Sequence, residues 1–457
     1  MIQFLRQHYP LFVFIFIWVM VSAHAAPLLY VVLPISVFLM RRRDMWQDIL
    51  LGFMICLVLS DMNQEIFQMR VMKTAKYTYI LSLLLILVMD QQRMKPLARA
   101  FGIFLPFFVF ACLPIVKSNV PIQSIEKTLS YALIYLVVPN FVLFNFRLYR
   151  WAFFRNLIWF LTLILLTQHL LPYIGPEWWS YVDDRFRGYF GNPNGMAIYT
   201  YLLFVLFTVV NHLRKDLFSN WEKVFIYAVL IYFVISCGAR TSLMSTLMFV
   251  LFIQFFRIST FLGIISFIGF IGIAELLSSN LPVIIGALGL QDYMRVDTLE
   301  NGSGRYIAWN YAWQQINDQG FFLFGAGFEN EGWVMKQGRA YLESMGHQGG
   351  VHNSYLALWL NTGIVGLVIY LRSFILIFIK ASKNTSIALA IMFSVLFSVL
   401  YESWLAGSLN PYMSMLLIIL TIVSEEEIMN EVDSDEVAED PEELPEFAPE
   451  PLILPAR

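Results

Sequence analysis

The stretch Gly346–Gly366 reads GHQGGVHNSYLALWLNTGIVG and joins a glycine-rich segment to an apolar run long enough to enter a membrane. Asn353 and Ser354 are favoured helix N-cap residues, so a membrane helix is predicted to begin there. His352 would then lie at the boundary between water and lipid, at the positive end of the helix dipole. Such a position suits a histidine that stays neutral and accepts a proton near neutral pH. The alternative is that His352 only packs against the loop or completes a cap.

The rest of the chain is similarly apolar. Of its 457 residues, 58% are hydrophobic and 14% are charged, whereas soluble domains carry about a quarter charged residues. Segments near the roughly 20 apolar residues that a membrane span needs recur along the chain. We therefore predict an all-α polytopic membrane protein with about 12–14 transmembrane helices and one large periplasmic loop that contains short helices. The predicted spans are 9–24, 27–40, 45–60, 78–90, 101–116, 128–146, 156–171, 195–211, 224–236, 241–256, 260–277, 354–371, 386–401 and 408–423.

These spans divide the chain into four parts. The predicted parts are N-terminal transmembrane helices at 1–277, the large loop at 278–353, C-terminal transmembrane helices at 354–423 and a disordered acidic cytoplasmic tail at 424–457. The distribution of Lys and Arg places the N-terminus in the cytoplasm. Segment 61–77 fits this orientation least well, because three basic residues would then lie outside. The N-terminus resembles a signal peptide, but apolar sequence resumes at Pro27, so a retained helical hairpin is predicted.

The large loop and the tail differ sharply in composition. Within the loop, a helix is predicted from Ser303 to near Gly320, with Arg305, Trp309, Ala312, Trp313 and Ile316 on one face. This helix would lie along the membrane surface, roof a cavity below it, or simply pack against the bundle. The tail holds 13 of the 33 acidic residues and is rich in proline, which favours disorder. The three cysteines show no disulfide or zinc spacing.

Three polar features are predicted to converge on the periplasmic face. They are Asp183-Asp184-Arg185-Phe186-Arg187-Gly188 with Asn192-Pro193-Asn194-Gly195, then Cys237-Gly238-Ala239-Arg240-Thr241, and then Arg305, Gly325-Ala326-Gly327 and His352-Asn353 of the loop. Asn194 is predicted to cap the helix that begins at Gly195. Arginines just before a helix N-terminus can form an anion site. In the alternative reading, Arg185 and Arg187 pair with the neighbouring aspartates or lipid head groups, and Arg240 reaches the membrane surface.

Together these groups suggest a substrate class. Arginine suits phosphate and pyrophosphate, because its charge persists and its donors bind in pairs, while histidine suits deprotonation of a hydroxyl. The lone GxG at 325–327 does not make a nucleotide site, and neither an HExxH sequence nor a spaced acidic pair is present. The pattern therefore favours an amphipathic, phosphate-linked lipid as substrate, with no cofactor, no metal and no nucleic acid.

At these residues the sequence resembles the O-antigen ligase and O-antigen polymerase superfamily of bacterial envelope enzymes. The matching blocks are Arg185–Gly188 with Asn192–Asn194, Gly238–Thr241, and Arg305 through Gly327 to Tyr355, in family order. Cys237-Gly238-Ala239-Arg240 is a departure, because many members have Ser-Gly-Ser-Arg there. The resemblance covers about residues 180–370.

The resemblance implies an inner-membrane enzyme whose donor is a glycan on undecaprenyl pyrophosphate at the periplasmic face. The acceptor would be a lipid-linked repeat for a polymerase, which we favour, or lipid A–core for a ligase. By motif match, Arg185 and Arg240 would hold the pyrophosphate, and Arg187 is the alternative to Arg185 because both adjoin Gly188. His352 would be the general base, and Arg305 and Asn353 would bind substrate from the loop. A chain-length regulator is a further candidate partner. Functions of other classes are a flippase for the same lipids and a membrane scaffold.

Overall fold

The computed structural model describes residues 2–63, 69–273, 305–347 and 349–431, and these residues are almost entirely helical. Seven of the described helices are long and apolar enough to cross a membrane, and five more are apolar but shorter. This confirms the predicted all-α polytopic membrane fold.

The α-helices are α1 (Ile2–Gln7), α2 (Tyr9–His24), α3 (Leu29–Arg42), α4 (Trp46–Ser60), α5 (Met72–Met89), α6 (Gln91–Met94), α7 (Ala100–Ala111), α8 (Pro121–Tyr149), α9 (Trp151–Gln168), α10 (Leu171–Ile174), α11 (Pro193–Leu213), α12 (Asn220–Ser236), α13 (Arg240–Ile258), α14 (Thr260–Ile273), α15 (Arg305–Asp318), α16 (Asn330–Gln337), α17 (Arg339–Ser344), α18 (Ser354–Ala381), α19 (Ile387–Tyr401), α20 (Pro411–Ser424) and α21 (426–431). Short 3₁₀ helices lie at Ala26–Leu28, Pro114–Lys117, Glu177–Trp179 and Trp404–Ala406, and β1 (Tyr181–Val182) pairs antiparallel with β2 (Arg185–Phe186).

Each of the fourteen predicted spans overlaps a described helix. We call the end of the bundle that carries residues 169–192 and 305–353 the loop end, and the end that carries residues 425–431 the tail end. The described residues of segment 61–77, the weakest point of the predicted orientation, include Lys76, whose Nζ donates to the Leu409 carbonyl oxygen at 2.7 Å at the loop end.

The centre of the bundle is built from helices that are apolar on every side. All fifteen residues of α4 are buried, and α20 is buried from Pro411 to Val423. A helix that is apolar all round is typical of a membrane span or of a protein core, and the burial of these two helices places them in the interior of the bundle. Because such helices cannot shift without opening the core, they hold the loops between them in fixed positions.

The loop end is joined to the bundle through a break in α18. Gly363 has φ 68° and ψ 179°, so the helical hydrogen bonds are interrupted there. Backbone of the segment 321–327 fills the gap: Ile364 N–H donates to the Phe322 carbonyl at 2.8 Å, and Gly327 N–H donates to the Asn361 carbonyl at 2.7 Å. Side chains at Gly325 or Gly363 would overlap the opposing backbone. The Gly-Ala-Gly sequence therefore serves this close backbone contact.

The described part of the large loop has a small core of its own. Helices α15, α16 and α17 confirm that the loop contains short helices. Ala308, Ala312 and Ile316 of α15 are fully buried against residues that include Val334 and Val351. Trp313, predicted to share this face, is 44% exposed instead, because it lies at the edge of the buried stripe. Ser303 and the rest of 278–304 lie outside the described residues.

The beginning of the acidic tail differs from the predicted disorder. Ile428 and Met429 are buried, and Glu425 accepts a 2.7 Å hydrogen bond from the Arg99 backbone N–H. Arg147 also forms a 2.8 Å ion pair with Glu427. Residues 425–431 of the tail are therefore anchored on the basic tail end of the bundle. Residues 432–457 lie outside the described residues.

Candidate active site

Arg185 is aimed inward by a tight β-hairpin. Asp183 and Asp184, the two turn residues between β1 and β2, have φ of 49° and 60°, as a two-residue hairpin turn requires. The Arg185 side chain then lies over Gly238, and its Nε donates to the Cys237 carbonyl oxygen at 2.9 Å. Gly238 has φ +57° and leaves room for that side chain. The first two sequence blocks therefore meet through Arg185.

Asn194 links this arginine to an acidic residue. It was predicted to cap α11, but Asn192 does so, accepting from Gly195 N–H at 2.7 Å. The side chain of Asn194 is left to bridge: its Oδ1 accepts from Arg185 Nη2 at 2.6 Å, and its Nδ2 donates to Glu402 Oε1 at 3.0 Å.

Glu402 is the residue that the sequence analysis missed as a site residue. Glu402 follows α19 and is only 6% exposed. Its carboxylate lies at the centre of the cluster, as the following contacts show. Its Oε1 also accepts from Arg305 Nη2 at 2.7 Å, and its Oε2 lies 3.6 Å from His352 Nδ1. Its backbone carbonyl accepts from the Ser354 hydroxyl at 2.7 Å, which fixes its position against the start of α18.

Arg240 and Arg305 complete the cationic side of the cluster. Arg305 begins α15, and its Nη1 lies 3.5 Å from Thr241 Oγ1, next to Arg240. The Arg240 guanidinium is close enough to those of Arg305 and Arg185 for their charges to repel. Like charges are gathered in this way where an anion is to be bound.

His352 is held in an uncommon backbone conformation. Its φ is 49°, in the left-handed region that non-glycine residues rarely occupy and that often marks functional sites. Its side chain is 32% exposed, so a substrate can reach it. Gly349 lies beside the ring, where a side chain would meet Nε2 at 3.0 Å. Nδ1 faces Glu402 at 3.6 Å. Nε2 is therefore the ring nitrogen that we assign to the substrate.

Asn353 has a structural contact in this arrangement. Its Oδ1 accepts from Leu356 N–H at 3.0 Å, which makes it the N-cap of α18. The predicted helix start at Ser354 is confirmed. Asn353 thus sets the direction in which His352 leaves the helix.

Two further titratable groups adjoin His352. The His347 ring lies 5.9 Å from the His352 ring, centroid to centroid. Burial lowers the pKa of His347, the hydrogen bond to the Gly350 carbonyl opposes this, and the charges of His352 and Arg305 lower the pKa further. Burial raises the pKa of the Glu331 carboxyl, which accepts from Val351 N–H at 3.3 Å. His347 and Glu331 therefore support the loop beneath His352.

Arg187 is placed differently from the other predicted arginines. It is 8% exposed, and its Nη2 and Nε donate to the carbonyl oxygens of Trp178 and Trp179 at 2.8 and 3.3 Å. These contacts hold the loop that carries the hairpin. They do not join Arg187 to Asn194 or Glu402, as far as the described residues show.

Three long helices begin at this cluster. They are α11, α13 and α18, whose N-caps are Asn192, Ala239 and Asn353. Ala239 supplies no side-chain cap, and the N-terminus of α13 brings the positive end of a helix dipole to the cluster. Among the described residues, no group of three or more His, Cys, Asp or Glu side chains is arranged to hold a metal ion.

The fold and the cluster define a multi-pass membrane protein with a histidine and several arginines at one end of its bundle. Residues 196–371, less than half of the chain, match the family model described as Wzy_C, O-Antigen ligase. This match supports the resemblance of the motifs to the O-antigen ligase and polymerase superfamily, and with it that general type of enzyme function. No curated protein matched the sequence.

Proposed function

We propose that the protein transfers a glycan from undecaprenyl pyrophosphate to an acceptor hydroxyl at the periplasmic face of the bacterial inner membrane. Its task is the polymerisation of O-antigen or exopolysaccharide repeat units. The observation that carries this proposal is the position of Glu402, whose two oxygens face His352 on one side and Arg305 and Asn194 on the other. A candidate base and the guanidinium groups thereby share one cluster.

The reaction follows from these positions. His352 Nε2 takes the proton of the acceptor hydroxyl, whose oxygen attacks the anomeric carbon of the donor sugar. The bond between that carbon and the pyrophosphate oxygen breaks, and the pyrophosphate lipid leaves with one more negative charge. Direct attack inverts the anomeric centre.

The residues divide the work between the two charges that develop. Arg185, Arg240 and Arg305, with the N-terminus of α13, stabilise the leaving pyrophosphate. Glu402 orients His352 and stabilises the imidazolium that forms. Since guanidinium groups supply the positive charge in this scheme, we propose that transfer is metal-independent and continues in EDTA.

The test is transfer by the purified protein in detergent, using lipid-linked repeat units as both donor and acceptor. Longer lipid-linked products are expected from the wild type, and His352→Gln and Arg240→Ala should reduce their formation by at least 100-fold at unchanged protein yield. Activity in detergent also excludes a flippase, because no second compartment exists. Full activity of either variant would refute the proposed roles.

The second candidate is an O-antigen ligase, favoured by the description of the matching family model. The same cluster would then present lipid A–core as the acceptor. Deletion of the gene separates the two functions on a polysaccharide gel. Loss of a polymerase leaves single repeats on the core or no polymer, whereas loss of a ligase leaves long polymer on the lipid carrier.

A further inference from the structure

One face of α15 is exposed and entirely uncharged between Tyr306 and Asn317. Its exposed side chains are Tyr306, Asn310, Trp313, Gln314 and Asn317. The opposite face is buried through Ala308, Ala312 and Ile316. Because that buried face fixes the rotation of the helix, the exposed side chains form a fixed surface, which we call the α15 platform.

Aromatic rings are held in place at both ends of the platform. The Tyr306 ring lies 5.3 Å from that of Trp309. At the other end, the Trp313 ring lies 5.3 Å from Trp359, nearly perpendicular to it. Trp359 is itself fixed by its 2.9 Å hydrogen bond to the Phe322 carbonyl. The rings of Tyr306 and Trp313 are nevertheless 45% and 44% exposed, so each offers surface to a ligand.

The platform begins at the candidate active site. Arg305, the residue before Tyr306, contacts Glu402. From Arg305 to Asn317 the helix rises about 18 Å. A ligand whose reacting end lies at the arginines can therefore extend along this surface.

The chemistry of the platform matches a neutral sugar chain. Aromatic faces attract the C–H groups of sugar rings, and the amides of Asn310, Gln314 and Asn317 both donate and accept hydrogen bonds, as sugar hydroxyls require. Asn317 Nδ2 already donates to the Trp313 carbonyl oxygen at 3.0 Å, but a lipid chain would offer no hydrogen-bond partner to the exposed amides of Asn310 and Gln314. We propose that the α15 platform binds the glycan beyond its reacting end, which rests on the proposed function.

The experiment measures glycan binding apart from transfer. Oligosaccharides of one and four repeats, released by mild acid from the surface polysaccharide of the producing strain, are titrated calorimetrically into the full-length protein in nanodiscs. Four repeats should bind more tightly than one. The double variant Tyr306→Ala/Trp313→Ala should weaken the binding of four repeats at least tenfold.

Three controls make the result specific. Trp178→Ala removes a tryptophan of another loop that is 58% exposed and should leave binding unchanged. The single variant Trp313→Phe keeps an aromatic ring and should bind four repeats nearly as tightly as the wild type. This result would show that the ring, and not a misfolded loop, accounts for the loss in the double variant. His352→Gln should abolish transfer but not binding, so that failure of the catalytic proposal and failure of the platform are told apart.

The proposal is overturned if the double variant binds four repeats as the wild type does, or if the wild type binds neither oligosaccharide. It is also overturned if brominated lipids quench the wild type more than Trp313→Phe and the oligosaccharide does not reduce that difference. The platform would then be a membrane contact.

Discussion

Replacing Glu402 by glutamine tests the centre of the cluster. The change keeps the shape of the side chain and removes its charge. Arg305 and Asn194 keep a hydrogen-bonding partner, whereas His352 loses the carboxylate that lies 3.6 Å from its Nδ1. The expected result is a lower turnover number with the fold preserved.

The magnitude follows from Coulomb's law. A unit charge pair at 3.6 Å is worth about 4–5 kcal/mol at an effective dielectric constant of about 20. Arg305 shares the same carboxylate, so we assign about half, or roughly 2–3 kcal/mol, to the imidazolium in the transition state. This corresponds to about a 30- to 150-fold lower turnover number.

The assay is the detergent reaction with purified, lipid-linked repeat units, at saturating substrate. The double variant Glu402→Gln/His352→Gln supplies the decisive comparison. If Glu402 acts through His352, the double variant is no slower than His352→Gln alone. Fully additive losses, or an unchanged turnover number in Glu402→Gln, would refute the reasoning.

Three further changes have distinct expected outcomes. Gly363→Ala should undock the loop, because strain at φ 68° alone costs about 1–3 kcal/mol; faster proteolysis within 305–347 would show this, and Gly102→Ala, which has open space around it, should have no such effect. Truncation after Ser424 exposes the site of the buried Ile428 and Met429 and should cost about 3 kcal/mol, seen as a lower melting temperature, whereas truncation after Glu431 should not. Arg187→Ala should reduce the amount of folded protein while the activity per folded molecule stays within about threefold, since its two carbonyl hydrogen bonds are worth roughly 1–3 kcal/mol; Arg185→Ala should do the reverse, and equal effects in both variants would contradict the division of roles.

The spans could be predicted because the information for them is local. Each predicted segment is apolar over nearly its own length, and lipid accepts only chain segments that satisfy their own backbone. The helix start at Ser354 was predictable for the same reason, since Asn353 caps a helix by a contact three residues away.

The missing parts of the site depend on distant contacts. Glu402 is a single acid after an apolar span, and its partner Asn194 lies 208 residues earlier in the chain. Asn192 rather than Asn194 caps α11, and the side chain of Asn194 makes that distant contact instead. Likewise, the need for glycine at 325 and 327 can be explained only once α18 is known to break at Gly363, where the two backbones approach closely.

The break in α18 also has a consequence for biosynthesis. The chain that fills the gap is made before the helix that receives it, and Glu402 is made later still. Until the last hairpin has been inserted, the arginines of a nascent molecule have no carboxylate to organise them. A half-inserted copy therefore lacks the complete cluster, which forms only in a late step of insertion.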